Sequence, residues 1–185
     1  MSINLKKGNS FNLTKNQPGL KKLMIGLGWE VVAQKMDLDS SVFMTGKNGK
    51  VLSDEYFIFY NNLNSPDGAI KHTGDNRSGA GDDDDEMILA NMYLINSGCE
   101  EIVIAVTIHD ADIRKQHFGM LSDAYIRLYD VESQTEILRY DLDAEFSGNT
   151  DVVFGKLSKQ NNEWHFTAVG CGYKKGLQGL IEIYA

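Results

Sequence analysis

The segment with the greatest chemical potential lies between residues 61 and 86, where side-chain oxygens and glycines are concentrated. It contains Asp67, the pair Asp75 and Asn76, and an unbroken acidic run at residues 82–86. Neighbouring carboxylates in such a run repel one another by on the order of 1 kcal/mol per pair in water, and by more when they are partly buried. A bound cation would relieve this repulsion, so the composition of the segment indicates a metal site.

The donor types point to a hard cation, because such ions prefer carboxylate, amide, hydroxyl and main-chain oxygens. A zinc site would call for Cys or His instead. Calcium takes about six to eight oxygen ligands in flexible geometry, whereas magnesium usually keeps its waters and relies on substrate phosphates. The sequence shows no phosphate-binding loop, so we expect calcium.

A helix-loop-helix calcium hand is excluded by the interior of this segment. Asp75 and Glu86 have the spacing of its first and last ligands. However, Arg77 stands at the third position, and Ala80 stands where the motif needs a glycine. Any calcium site here must therefore have another architecture.

The acidic residues also have simpler interpretations. A solvated loop or an acidic helix start would explain the run at 82–86, because Asp is favoured at helix N-termini. Asp37 and Asp39 alternate along an extended segment, so both side chains would project to one face. They would either add ligands or simply mark a polar strand end.

The elements that must position these residues are mainly strands. Runs rich in β-branched and aromatic residues predict about seven of them. They lie at residues 23–29, 56–60, 102–108, 124–129, 136–142, 152–157 and 164–169. We therefore expect a mainly β fold, a two-sheet antiparallel β-sandwich with one or two short helices and long acidic metal-binding loops.

Several segments carry more specific expectations. Residues 102–108 are apolar almost throughout and predict a strand covered on both faces. Gly26 and Gly28 fall on one face of their strand, so we expect that face of the sheet to be flat, without side chains at these two positions. Good helix formers at 86–96, with Asp83 and Glu86 as a capping box, predict a helix closed by Gly98. Residues 172–185 fit a short amphipathic segment or another strand.

Length and composition exclude several classes of protein. The 185 residues suffice for a single domain spanning 1–185 with a sizeable core. A net charge of −8 argues against nucleic acid as a partner, since binding a phosphate backbone needs clustered Lys and Arg. Without an apolar leader segment or a long apolar run, we expect a cytoplasmic protein.

Catalytic motifs are weak. The four histidines, His72, His109, His117 and His165, lack metal-binding spacing, and neither a nucleophile elbow nor a P-loop is present. Cys99 and Cys171 belong to no CxxC pair and read as small buried residues. His109 and Asp110 are the best acid–base candidates, but acidic residues after a strand are common in turns. We expect no enzyme.

Seven segments together resemble the TerD family over nearly the whole chain. The most specific are MDLDSS at 36–41, FYNNLNSPDG at 59–68 and HTGDNR at 72–77. The others are AVTIHDA at 105–111, QHFG at 116–119, RYDL at 139–142 and AVGCGY at 168–173. The resemblance implies a bacterial β-sandwich that binds two calcium ions (Ca2+) at loops on one end. It also implies partners among the other proteins of a tellurium-resistance and stress-response system.

The resemblance also implies a set of metal ligands, with glycine carbonyls added to the acidic side chains. The set is Asp37, Asp39, Asp67, Asp75, Asn76, Gly79, Gly81, Asp82, Asp83, Asp84, Asp85 and Glu86. Calcium-dependent association with an anionic membrane surface is an alternative role. Similarity to a slime-mould cyclic-AMP-binding protein adds nucleotide binding, and an enzyme remains a further alternative.

Overall fold

A computed structural model describes residues 2–31, 36–75, 84–142 and 146–185 of the chain. The strands in chain order are β1 (Ile3–Asn4), β2 (Ser10–Asn12), β3 (Lys22–Val31), β4 (Leu38–Thr45), β5 (Phe57–Ile58), β6 (Ile70–Asp75), β7 (Glu86–Asn91), β8 (Glu101–Ile108), β9 (Leu121–Asp130), β10 (Thr135–Asp141), β11 (Asp151–Gln160) and β12 (Glu163–Tyr173). The helices are α1 (Leu13–Asn16), α2 (Ala111–Arg114) and α3 (Gly176–Tyr184), with 3-10 turns at Asp54–Tyr56 and Phe118–Met120. No helix in the described part of the chain is long and apolar enough to cross a membrane.

Two six-stranded sheets form the sandwich, which confirms the predicted fold class. Sheet A has the strand order β1-β10-β9-β3-β7-β6, and sheet B has the order β2-β12-β11-β8-β4-β5. Described neighbours pair antiparallel, except that β1 runs parallel to β10. The three described helices slightly exceed the one or two that were expected.

The core lies between the inner faces of the two sheets. Every second residue of a strand faces inward because side chains alternate across a sheet. Thus Leu23, Ile25 and Leu27 of β3 are fully buried, as are Ile102 and Ile104 of β8. Burial of such a side chain contributes roughly 1.5–3 kcal/mol, so the two inner faces hold the sandwich together.

A second apolar layer covers the outer face of sheet B. Val103 and Ala105 of β8 cluster there with Phe43 and with Leu180 of α3. This confirms that β8 is buried on both faces. It also resolves the C-terminal tail as a helix, whose apolar residues meet the sheet.

The helix expected at 86–96 is wrong, because the chain there forms β7 between β3 and β6. Its burial alternates with a period of two, with Glu86, Ile88 and Ala90 buried. Helix propensity is a weak local preference, and pairing with strands on both sides outweighs it. As a result, Glu86 starts a strand and does not lie on a helix.

Candidate metal centre

One end of the sandwich gathers several of the predicted acidic residues. There β4 begins and β8 ends, with Leu38 paired to Ile108. On the other sheet β6 ends and β7 begins, with Asp75 paired to Glu86. We call this region, defined by Asp37, Asp39, Asp75 and Glu86, the acidic end.

Glu86 connects the two sheets at the acidic end. It belongs to sheet A, yet its Oε2 accepts a hydrogen bond of 2.6 Å from the backbone N–H of Ser40 in sheet B. His72 Nε2 lies 3.5 Å from the same oxygen and 2.8 Å from Ser40 Oγ. Glu86 is 9% exposed, so it is held in a nearly closed polar cluster between the sheets.

His72 and Ser40 were not singled out as site residues from the sequence. The alternation of β6 held a signal for His72, because Ile70 and His72 share the buried face while Lys71 is exposed. A buried histidine needs a polar partner, and here that partner is in the opposite sheet. Only the packing of the two sheets reveals it.

Asp39 lies beside other carboxylates at the start of β4. Burial raises the pKa of the Asp39 carboxyl, and the negative charges of Glu86 and Asp37 raise it further. His109 and His72 act in the opposite direction, and His109 Nδ1 lies 3.7 Å from Asp39 Oδ2. The protein thus keeps a half-buried carboxylate close to other negative charges.

Asp37 is exposed, and its main chain fixes the same region. Its carbonyl oxygen accepts a 2.8 Å hydrogen bond from the N–H of His109, just after β8. This contact holds the beginning of β4 beside the end of β8. Asp37 therefore stands at the rim of the acidic end with its carboxylate open to solvent.

Asp67 is not brought to the acidic end. It precedes β6, whereas Asp75 ends that strand, so the two residues lie at opposite ends of the sandwich. The Asp67 carboxylate accepts hydrogen bonds from Ser65 Oγ at 2.5 Å and from the N–H groups of Ala69 at 2.9 Å and Asn96 at 2.8 Å. In the structure its carboxylate closes a turn away from the acidic end.

Asp84 and Asp85 are both engaged with sheet A. The Asp84 side chain is 2% exposed and pairs with Arg127, whose Nε lies 2.9 Å from Oδ1. Asp85 is exposed, and its Oδ2 accepts a 2.8 Å hydrogen bond from the N–H of Trp29. Both of these carboxylates of the acidic run therefore already have hydrogen-bond donors within the protein.

The remaining predicted ligands fall outside this description. Five of them lie outside the described residues: Asn76, Gly79, Gly81, Asp82 and Asp83. For Asp75, the structure describes only its position at the end of β6. Within 2–31, 36–75, 84–142 and 146–185, no three His, Cys, Asp or Glu residues form a cluster that could hold a metal ion. The donors at the acidic end are carboxylate oxygens, which is the chemistry that suits calcium.

A cleft of about 360 Å³ adjoins the acidic end on the outer face of sheet B. Asp39, Thr107, His109 and Asp110 are among the residues that line it. His109 Nε2 and Asp110 Oδ2 lie 3.4 Å apart. The two residues considered for acid–base chemistry are thus neighbours, and both are open to solvent.

The two cysteines occupy different environments. Cys99 is fully buried, as its sequence context predicts, and burial raises the pKa of its thiol to about 12. Cys171 is half-buried on β12. A thiol reacts as the thiolate, so the raised pKa makes Cys99 a poor redox group at neutral pH.

Comparison with known proteins gives concordant matches over the full chain. A family model described as the TerD domain matches residues 1–184. The tellurium resistance protein TerD of Serratia marcescens is 46% identical over 187 residues, covering 100% of this chain and 97% of the relative. General stress protein 16U of Bacillus subtilis is 42% identical over 188 residues, with the same coverage of both chains.

Solved structures share the fold. A Streptomyces coelicolor homologue of telluride resistance protein TerD matches with a TM-score of 0.67 at 18% identity, covering 88% of this chain and 96% of the other. A second structure, of a protein of unknown function, matches with a TM-score of 0.68 at 21% identity, covering 88% and 95%. Both are related to this chain in architecture.

Proposed function

Because this chain belongs to the TerD family of tellurium-resistance and stress-response proteins, we propose that it is a calcium-binding module of such a system. In this proposal the acidic end binds two calcium ions. The ions order the segment between β6 and β7, residues 76–85, which we call the acidic loop. The ordered loop then presents a surface to partner proteins of the same system. The protein acts by binding and carries out no catalysis.

The observation that carries the proposal is the environment of Asp39. Its carboxyl is half-buried next to the charges of Glu86 and Asp37, and together these raise its pKa. Keeping like charges together costs free energy that a divalent cation would recover. Asp37, Asp39 and Glu86 would supply carboxylate oxygens, and residues 75–83 would complete the set.

Calcium would supply positive charge and a preference for many oxygen ligands. The residues of this chain do the rest. Ser40 and His72 hold the Glu86 carboxylate between the sheets, and the bond from His109 to Asp37 fixes the start of β4. An ion bound by Asp39 and Glu86 would therefore link β4 of sheet B to β7 of sheet A.

Isothermal titration of chelator-stripped protein with calcium tests the proposal. We expect saturable binding of two ions at micromolar concentrations or below, and much weaker binding of magnesium. Asp39→Asn should weaken binding, because it removes a carboxylate from the acidic end. Asp67→Asn is the matched control, because Asp67 closes a turn at the opposite end and should leave the titration unchanged.

The outcomes separate the interpretations of the acidic run. If the wild-type protein gives no saturable heat, the run is a solvated loop and the proposal fails. If Asp67→Asn and Asp39→Asn weaken binding equally, the ions are not bound at the acidic end. Calcium-dependent crosslinking to the other proteins of the stress system, lost in Asp39→Asn, tests the partner role.

A further inference from the structure

Asp84 occupies a space on the outer face of sheet A that a glycine leaves open. A Cβ atom built on Gly26 would lie 2.1 Å from Asp84 Oδ2, which is far closer than real atoms approach. The Asp84 side chain is 2% exposed. This carboxylate is therefore folded down onto β3, whereas Glu86, two residues later, points between the sheets.

Two side chains of β9 hold the Asp84 carboxylate there. The Tyr125 hydroxyl donates a hydrogen bond of 2.9 Å to Oδ1. Arg127 Nε lies 2.9 Å from Oδ1 and 3.0 Å from Oδ2. Hydrogen bonds between charged groups are roughly twice as strong as neutral ones, so this is a firm attachment.

Neighbouring groups brace the attachment. The Arg139 guanidinium stacks on the Tyr125 ring at 3.7 Å from its centroid. Arg127 Nη1 also lies 3.6 Å from Oε2 of Glu136 in β10. The two residues that hold Asp84 are therefore themselves fixed by the next strand of the sheet.

The residue after Asp84 is fixed as well. The N–H of Asp85 donates a 2.8 Å hydrogen bond to the carbonyl of Leu27. Together with the bond from the N–H of Trp29 to the Asp85 carboxylate, this bond attaches Asp85 to β3 at two points. The acidic loop therefore enters β7 from a fixed position.

We propose that Asp84 anchors the acidic loop to sheet A without binding the ion, and that Arg127 and Tyr125 are positioning residues for calcium binding at Glu86. This inference rests on the proposed calcium function. Fixing a loop before a ligand arrives lowers the ordering entropy lost on binding, so the anchor raises calcium affinity. The anchor supplies no ligand, so its loss leaves the number of bound ions unchanged.

Calcium titration of Arg127→Met and Gly26→Ala tests the anchor. Arg127→Met removes the charged partner, and Gly26→Ala displaces the Asp84 carboxylate while both charged groups stay in the chain. We expect each variant to raise the calcium dissociation constant by about tenfold or more with unchanged stoichiometry, the size of effect seen when groups that orient metal ligands are removed. Arg127→Lys should recover part of the affinity, because lysine keeps the charge without the planar fork.

Limited trypsin digestion of the calcium-free protein provides a second readout. Arg77 lies within the acidic loop and is a trypsin site. Loss of the anchor should speed cleavage after Arg77 even when no calcium is present. Lys156→Met is the control, because it breaks an ion pair with Glu101 in sheet B, away from the acidic loop, and should change neither readout.

The results distinguish an anchor of the acidic loop from a purely structural ion pair and from a metal ligand. A lower melting temperature in Arg127→Met with normal calcium affinity and normal cleavage would show a purely structural role and overturn the proposal. Loss of a bound ion in Asp84→Asn would show that Asp84 is a ligand and also overturn it. If the wild-type protein binds no calcium, the proposed function fails, yet faster cleavage after Arg77 would still show that the anchor fixes the loop.

Discussion

Asp151 is fully buried at the start of β11, where its carboxylate connects that strand to α3. Its Oδ1 accepts hydrogen bonds from the Thr150 hydroxyl at 2.6 Å and from the N–H of Gly176 at 2.9 Å. Among the described residues no partner hydrogen-bonds to Oδ2. Burial raises the pKa of this carboxyl, because the charged form loses its hydration.

The raised pKa predicts how stability should change with pH. A carboxyl whose pKa is higher in the folded state favours folding most when it is protonated, and this contribution is lost as the pH rises through the folded-state value. Asp151→Asn keeps the Oδ1 acceptor and removes the charge. We expect the melting temperature of Asp151→Asn, relative to wild type, to rise between about pH 4 and neutral pH.

Asp141→Asn is the control for this pH series, because it removes a carboxylate that is mostly exposed and paired with Arg139. A constant difference between Asp151→Asn and wild type across the pH range would mean that Asp151 titrates as it does in the unfolded chain. If the melting temperature of Asp151→Asn instead falls relative to wild type as the pH rises, the hydrogen bonds to Asp151 lower its pKa by more than burial raises it.

Residue types showed where acidic side chains are concentrated, but they did not show which of these side chains already have partners in the fold. The oxygen-rich composition was visible in the sequence, and the charge of Glu86 does act on the Asp39 carboxyl. However, Asp84 and Asp67 look like their neighbours when only local spacing is considered. Their partners are Arg127 and Asn96, which lie far along the chain, so only the fold could show that these carboxylates are already engaged.

At the scale of elements, α3 acts as a cover for sheet B. Leu180 is fully buried and clusters with Phe43, Val103 and Val153. Replacing a buried leucine by alanine removes apolar contacts and leaves a cavity, which costs about 2–5 kcal/mol. We therefore expect Leu180→Ala to lower the free energy of unfolding by that amount, measured by urea denaturation.

Ile183→Ala is the matched control on the same helix, because Ile183 is 41% exposed. It should change the free energy of unfolding by no more than about 0.5 kcal/mol, as is usual for surface positions. Equal effects of the two substitutions would contradict the assignment of α3 as part of the packed structure.

Strands were predictable from sequence where apolar residues dominate, and less so elsewhere. β8, β9, β10, β11 and β12 were all anticipated, with boundaries within a few residues for most. β4 was missed, because Asp39, Ser40 and Ser41 interrupt its apolar residues at the acidic end. β7 was taken for a helix, since Met87, Leu89 and Ala90 are good helix formers.

For the whole molecule, calcium and folding should be linked. An ion that binds only the folded chain stabilises it by about 2.7 kcal/mol when the free ion is at 100 times its dissociation constant. For a chain of this size, that corresponds to a rise of about 5–10 °C in the melting temperature. Thermal melts with and without chelator measure this shift.

Asp39→Asn should show a smaller calcium-dependent shift than wild type, and Asp67→Asn should keep the full shift relative to its own calcium-free form. A wild-type melting temperature that is the same with calcium and with chelator would contradict the linkage. The comparison also separates calcium binding from general screening, because the net charge of −8 would respond to any added salt.

The pairing of Asp75 with Glu86 has an evolutionary consequence. The acidic loop leaves and re-enters sheet A at one pair of facing residues, so insertions or deletions between them need not disturb the register of β6 and β7. Loop-closure entropy grows only slowly with length, by about 0.6 kcal/mol for each doubling. We therefore expect relatives to differ in the length of this segment while retaining the same sandwich.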